Sequence, residues 1–382
     1  MGLLIYGSLE TVSGGYLYDR MLVQALRDAG DAVELISLPQ RSYERCLGDN
    51  LSPALYRRLA QARLDVLLQD ELNHPSLAWI NARVKQAAGY PLVSIVHHLR
   101  SSEQRPSWQN RLYRAIERRY LRSVDAYVFN SQATRQAVEA AAGGLGRRPW
   151  AVAYPAGDRL APLNGQAALA RRVQRLQDAA RPLELVFLGN LIRRKGLHTL
   201  LEALERLPQG GWRLAVIGGL EVEASYAAQM QRQAQRSPQL RGQVRFLGRL
   251  DDAAVKAELE RADLLVVPSS YEGFGIVYLE GMAYGMPVIA SNAGAAGEII
   301  TPGVNGLLVE PEDAAGLDAG LAALLGDRPR LERLSQGALQ RYRMHPTWAD
   351  SGQQIRAFLA RLADPGRQPN RADEERTMRQ EQ

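Results

Sequence analysis

Only one of the 382 residues is cysteine, Cys46, so the chain closes no internal disulfide, and a lone thiol without a spaced His/Cys cluster makes no metal site. No stretch approaches the roughly 18 consecutive apolar residues of a membrane-spanning helix. The start Met1-Gly-Leu-Leu-Ile-Tyr6 enters a strand without a basic leader, so the expectation is a protein made and kept in the cytoplasm. The Gly-x-Gly-x-x-Gly spacing of the dinucleotide fingerprint is absent from the first strand–turn–helix, which weighs against a dehydrogenase. Asp251-Asp252 reads as a helix N-cap, and no constellation of metal ligands appears; the metal expectation is none.

Apolar material is plentiful at 46% of residues, and the length suits two domains of about 150 to 200 residues, each with its own core. Short apolar runs alternate with amphipathic segments throughout. Strands are expected at 3–6, 32–37, 65–68, 92–96, 126–129 and 150–153, and again at 183–188, 213–217, 244–247, 264–267, 288–290 and 307–309. Helices such as 198–206 and 253–261 lie between them. That pattern predicts an α/β chain of two doubly wound, Rossmann-like parallel sheets facing a central cleft. Pro162, Asn164 and Gly165 break the pattern, so the first domain is set at 1–165, a linker at 166–181 and the second domain at 182–346. After Pro365 the composition turns to Gln, Arg, Glu and Asp without apolar period, and 365–382 is expected to be disordered.

The most informative stretch is 271–290, Tyr-Glu-Gly-Phe-Gly-Ile-Val-Tyr-Leu-Glu-Gly-Met-Ala-Tyr-Gly-Met-Pro-Val-Ile-Ala. It follows the apolar run 264–267 and reads as strand, glycine turn and helix, whose first amides can seat an anion. Gly273, Phe274, Gly275 and Ile276 form that seat, Glu272 lies in the loop, and Glu280 lies about one turn into the helix. A carboxylate accepts two hydrogen bonds, so each glutamate can take a vicinal diol, as a sugar and a ribose on either side of a diphosphate would require.

This Glu-x7-Glu block with its Gly-Phe-Gly core, the following Gly285-Met-Pro-Val-Ile-Ala-Ser291, and Gly303-Val-Asn-Gly-Leu-Leu-Val-Glu-Pro-Glu-Asp313 are similar to the retaining, nucleotide-sugar-dependent glycosyltransferases of family 4, which have the GT-B fold. The resemblance implies a C-terminal helix, here 347–364, crossing back onto the first domain. It implies that Gly14 and Gly15, after the first strand, lie against the donor phosphates, and that His97, at the end of the strand 92–96, lies near the donor sugar. It implies further that Gly218, Arg249 and Leu250 pack the nucleobase, and that transfer proceeds with retention. In 189–196, Gly-Asn-Leu-Ile-Arg-Arg-Lys-Gly, Lys195 stands where the family has a lysine, but Asn190 replaces an expected arginine, with Arg193 and Arg194 as candidates for the missing charge.

The implied catalytic residues are Glu272, Lys195 and His97, and the implied co-substrate is a UDP- or GDP-sugar with no permanently bound cofactor. Front-face retention, with the departing phosphate taking the acceptor's proton, is the expected mechanism. His98 and the Asp70-Glu71 pair are candidates for acceptor recognition, the acceptor being a glycan, a lipid-linked or a small-molecule hydroxyl in cell-envelope or exopolysaccharide synthesis. Two other readings stay open: a same-fold epimerase or phosphorylase, and a catalytically silent binding subunit.

The net charge is +6, and most of the excess falls in 100–122, where seven arginines face Glu103 and Glu117 among Trp108, Leu112, Tyr113, Ile116 and Tyr120. Such a basic amphipathic helix can bind an anionic membrane surface or can be a core-packed helix with a solvated face. No nucleic-acid-binding module accompanies the charge, so nucleic acid is not an expected partner.

Overall fold

The computed structural model describes residues 1–102 and 106–363. The expected tail 365–382 and Glu103 of the basic segment therefore lie outside the described residues. Among those described, twelve strands form two six-stranded sheets in which every pairing is parallel. In chain order they are β1 Gly2–Tyr6, β2 Glu34–Leu38, β3 Leu67–Asp70, β4 Leu92–Val96, β5 Ala126–Phe129, β6 Trp150–Val152, β7 Leu183–Leu188, β8 Trp212–Ile217, β9 Val244–Gly248, β10 Leu264–Val267, β11 Val288–Ser291 and β12 Gly306–Val309. The first sheet runs β2-β1-β3-β4-β5-β6 and the second β12-β11-β10-β7-β8-β9. All twelve expected strands are present. Central strands such as β4, β7 and β10 are near-continuous apolar runs because helices cover both their faces. Order reversal places β1, β3 and β4 side by side in one sheet, and β7 beside β10 in the other. Ligands of open α/β sheets bind outside the carboxyl ends of strands at such a switch point.

The chain forms two compact units, Met1–Tyr154 with the helix Trp348–Ala363, and Pro155–Thr347. In the first unit, Trp348–Ala363 packs on the helix Gly14–Asp28, where Trp348 and Ile355 meet Tyr18 and Leu22. Gly352 is needed at this crossing, because a Cβ there would collide with that of Ala25. The Tyr18 hydroxyl donates to Ala153 O at 2.9 Å and Ser351 Oγ to Tyr154 O at 2.5 Å, so both helices hold the end of β6.

The segment expected to be a linker is instead part of the second unit. Residues 166–177 form a helix whose Arg172 is 3% exposed, and its guanidinium donates to Gly285 O, Ala262 O and Asp263 O at 2.8 to 3.1 Å. Breakers at 162–165 mark the start of this docked helix, while the chain leaves the first unit earlier, at Tyr154. No helix among the described residues is long and apolar enough to cross a membrane.

Candidate active site

In the second unit, β7 and β10 are neighbours, and the loops leaving their carboxyl ends meet. After β7 the chain runs through Gly189 and Asn190 to a single 3-10 turn, Arg193–Lys195, and then to Gly196, whose φ of +75° and close approach to Pro268 O suit glycine alone. After β10 it passes Ser269 and Glu272 to Gly275, at φ +101°, where the helix Ile276–Ala283 begins. Lys195 Nζ donates to Glu272 Oε2 at 2.7 Å, Ser269 Oγ donates to the same oxygen at 3.0 Å, and Arg194 Nη1 lies 3.9 Å away. Arg194 also donates to Tyr271 O at 2.7 Å, which fixes its guanidinium. Burial alone would raise the Glu272 carboxyl, but Lys195 and Arg194 outweigh it and hold its pKa at about 2. Burial lowers that of Lys195, against the pull of Glu272. The backbone of Glu272 is pinned from the β11 side, with its carbonyl accepting from Ala295 N at 3.0 Å.

Of the two arginines that could supply the charge missing at Asn190, Arg194 is the one beside Glu272; Arg193 is exposed, and its backbone N–H donates to Glu223 Oε2 at 2.9 Å. Asn190 does different work: its Oδ1 accepts from Gly219 N at 3.3 Å and ties the β7 loop to the β8 loop. Gly218, at φ +151°, lies against Gly189 O, and Arg249 pairs with Glu221 on this rim. Phe274 is 3% exposed against the ring of His345, 5.8 Å between centroids, so its backbone rather than its ring faces the turn. Glu280 is likewise buried; its Oε1 receives Arg159 Nε and Nη2, each at 3.0 Å.

In the first unit, Ser13 caps the helix Gly14–Asp28 by accepting from Tyr16 N at 3.3 Å, which puts Gly14 and Gly15 inside its first turn. A Cβ on Gly15 would sit 3.0 Å from His97 Cδ2, so glycine lets the imidazole lie over the helix start. His97 Nε2 and Asp19 Oδ1 are 3.1 Å apart, and His97 O accepts from Asn130 Nδ2 at 2.9 Å. Asp70, fully buried at the end of β3, completes a group with Asp19 and His97 whose ligand-type atoms lie within 4.8 Å of one another. Burial and the nearby Asp19 push the Asp70 carboxyl up to about 8. Burial opposes the imidazolium of His97, but Asp19 and Asp70 prevail and its pKa is raised. Glu71 turns inward to His74 Nδ1 at 3.0 Å and, with Glu117, forms a second buried group; neither Asp70 nor Glu71 is more than 1% exposed. His98 is half-buried at the same strand end.

Known families align with most of both units. The profile described as Glycosyltransferase Family 4 matches residues 18–158, and that described as Glycosyl transferases group 1 matches 172–341. The chain belongs to glycosyltransferase family 4. Its sheets and helices are the GT-B fold, as in the solved structure of Anabaena HepE in complex with UDP-glucose, which covers 95% of this chain and 100% of that one at a TM-score of 0.73 and 24% identity. A glycogen synthase of Mycobacterium tuberculosis is 37% identical over 169 residues, 44% of this chain and 40% of that enzyme, so the match spans less than half of the relative. A phosphatidyl-myo-inositol mannosyltransferase of Mycolicibacterium smegmatis is 27% identical over 86% of this chain and 85% of its own.

Within this family 4 chain the structure gathers Lys195, Arg194 and Glu272 at one pair of strand ends and Gly15 and His97 at another. It withdraws Asp70 and Glu71 from the surface and leaves Arg193 outside the Glu272 group. Asp19, Arg159 and Ser269 were not singled out from sequence. A signal existed for Asp19, since it shares a buried helical stripe with Leu22, Val23 and Leu26. The buried acid has a measurable consequence. Asp70's pKa rises from 3.8 to about 8 on folding, so its stabilising contribution is fully present below pH 3.8 and is lost as pH rises through that window. Asp70→Asn is therefore expected to flatten the fall in melting temperature between pH 5 and pH 8, read by thermal melts of both proteins; equal slopes would reject a neutral Asp70.

Proposed function

We propose that the chain is a retaining hexosyltransferase that takes its sugar from a UDP- or GDP-sugar and passes it, without a metal ion, to a glycan or lipid-linked hydroxyl. The observation that carries this reading is the Lys195–Glu272 pair at 2.7 Å with Arg194 beside it, at the mouth of a glycine turn that opens a helix. A leaving nucleoside diphosphate gains charge as the glycosidic bond breaks. Two fixed cations and first-turn amides, which no helix carbonyl can satisfy, are suited to hold that charge. Glu272 takes hydroxyls of the transferred sugar, and Glu280 takes the ribose. No residue here is placed as a nucleophile. The departing phosphate oxygen accepts the acceptor's proton while the acceptor oxygen bonds to the anomeric carbon on the face the phosphate leaves, which preserves configuration.

A lipid-linked acceptor is favoured by the helix Ser107–Leu121. Its Tyr113, Ile116, Glu117 and Tyr120 are buried, so the solvent face carries Arg111, Arg114, Arg118 and Arg119 with Trp108 at 62% and Leu112 at 49% exposure. Arg119 lies over the ring of Trp79, 5.2 Å from its centroid. A cationic face with exposed apolar side chains suits an anionic bilayer surface. The mannosyltransferase relative is named for a phosphatidylinositol substrate, which supports the same direction.

The test is binding and slow hydrolysis of UDP-, GDP-, ADP- and CMP-sugars by wild type and Glu280→Ala, with EDTA and with added Mg²⁺, and with phosphatidylglycerol or phosphatidylcholine vesicles present. One donor bound selectively in EDTA and lost in the variant, with NMR showing an unchanged anomeric configuration in the product, is the expected result. An inverted product or strict Mg²⁺ dependence would reject the mechanism.

A further inference from the structure

The segment that enters the second unit after Pro155 is laid along the helix bearing Glu280. Gly157 approaches so closely that a Cβ on it would sit 2.6 Å from Leu279 Cβ and 2.9 Å from Glu280 N. Further on, Ala161 O accepts from the Tyr284 hydroxyl at 2.7 Å, and Leu163 N donates to Ala283 O at 3.0 Å. Arg159 is held between these attachments and is only 22% exposed. All three of its guanidinium nitrogens are engaged: Nε and Nη2 converge on Glu280 Oε1 at 3.0 Å each, and Nη1 pairs with Asp252. Asp252 is itself fixed in the first turn of the helix Asp252–Arg261, which Asp251 caps through Ala254 N at 2.8 Å. Among the described residues Glu280 Oε2 takes no hydrogen bond.

We propose that Arg159 is a positioning residue for nucleotide recognition: its fork fixes Glu280 Oε1 so that Oε2 presents its lone pairs to the vicinal hydroxyls of a ribose. The proposal rests on the reading of Glu280 as the ribose ligand. A diol donates two hydrogen bonds, and an ionised carboxyl accepts them about twice as strongly as a carboxylic acid, which also turns one oxygen into a donor. Burial drives Glu280 toward the protonated form, Asp252 adds to that push, and Arg159 opposes both; Tyr284 is the other titratable group facing it, and its phenol is pushed up to about 12. Without Arg159 nothing would oppose the upward push on the Glu280 carboxyl, and its terminal torsion would lose the fork that holds it.

The experiment titrates wild type, Arg159→Gln and Arg159→Lys with UDP, GDP and ADP and with their 2′,3′-dideoxy analogues from pH 6 to 9. Wild type is expected to prefer the best-bound ribonucleotide over its dideoxy analogue by about tenfold or more, the strength of hydrogen bonds to a charged group. In Arg159→Gln that preference falls toward unity at pH 7 and returns only at higher pH, while affinity for the dideoxy analogue is unchanged. Arg159→Lys, which keeps the charge but loses the fork, falls between. Arg159→Gln with the wild-type preference and the wild-type pH midpoint would overturn the proposal. Absence of any ribose preference in wild type would remove the Glu280 reading, and this proposal with it. A merely structural Arg159 would weaken both nucleotides alike without moving the midpoint, which also overturns the proposal.

Discussion

Exchanging Lys195 for alanine is expected to lower kcat by about 10²–10³-fold, the usual loss when one preorganised group is removed from a developing charge. The stability effect should be much smaller, because Glu272 keeps Ser269 at 3.0 Å and Arg194 at 3.9 Å, leaving about 1–3 kcal/mol for the lost charged hydrogen bond. The two effects separate by pH. Glu272 is depressed to about 2 from 4.5, so its contribution is present above pH 4.5 and lost as pH falls toward 2; in the variant the loss should begin at higher pH. Initial rates with the selected donor, together with melts at pH 7 and pH 4, decide the matter. A kcat within threefold of wild type would remove Lys195 from the reaction.

Gly275→Ala should be strongly damaging. The residue sits at φ +101°, where a Cβ adds about 1–2 kcal/mol of strain, and that Cβ would collide with the Tyr278 ring. Tyr278 is fully buried, so the ring cannot move aside without opening the core behind β10. A total loss above about 3 kcal/mol and loss of donor binding are expected, since the amides that start the helix would be redirected. Gly297→Ala is the control: nothing lies within 4 Å of its Cβ position, and a change within about 0.5 kcal/mol is expected. Calorimetry and nucleotide titration of both variants would show it, and matching melts for the two would refute the strained turn.

Sequence made the sheets legible because parallel strands buried on both faces must be apolar runs, and β4, β7, β10 and β11 are such runs. The Glu272 loop was legible because its strand, turn and helix are contiguous. Partnerships across distance were not. Arg159 stands 121 positions from Glu280, and His97 stands 78 from Asp19; no local period announces either pair. Arg172 misled for a physical reason: a charged residue is normally solvated, yet carbonyls left open at 262, 263 and 285 take this one into the core. Asp70 and Glu71 looked like surface ligands because burial of two successive acids is rare, and the groups buried with Asp70, Asp19 and His97, lie on other elements.

The two-part first unit has a consequence for how the protein is made. The helix Gly14–Asp28 emerges from the ribosome early, with Tyr18 and Leu22 in need of cover, while its partner Trp348–Ala363 is synthesised only after the whole of Pro155–Thr347. The second unit can close around an uninterrupted segment of chain, whereas the first must wait, with an apolar stripe open to chaperones or to other nascent chains. The arrival of Trp348–Ala363, rather than local sequence, thus sets the moment at which the helix carrying Asp19 gains its cover.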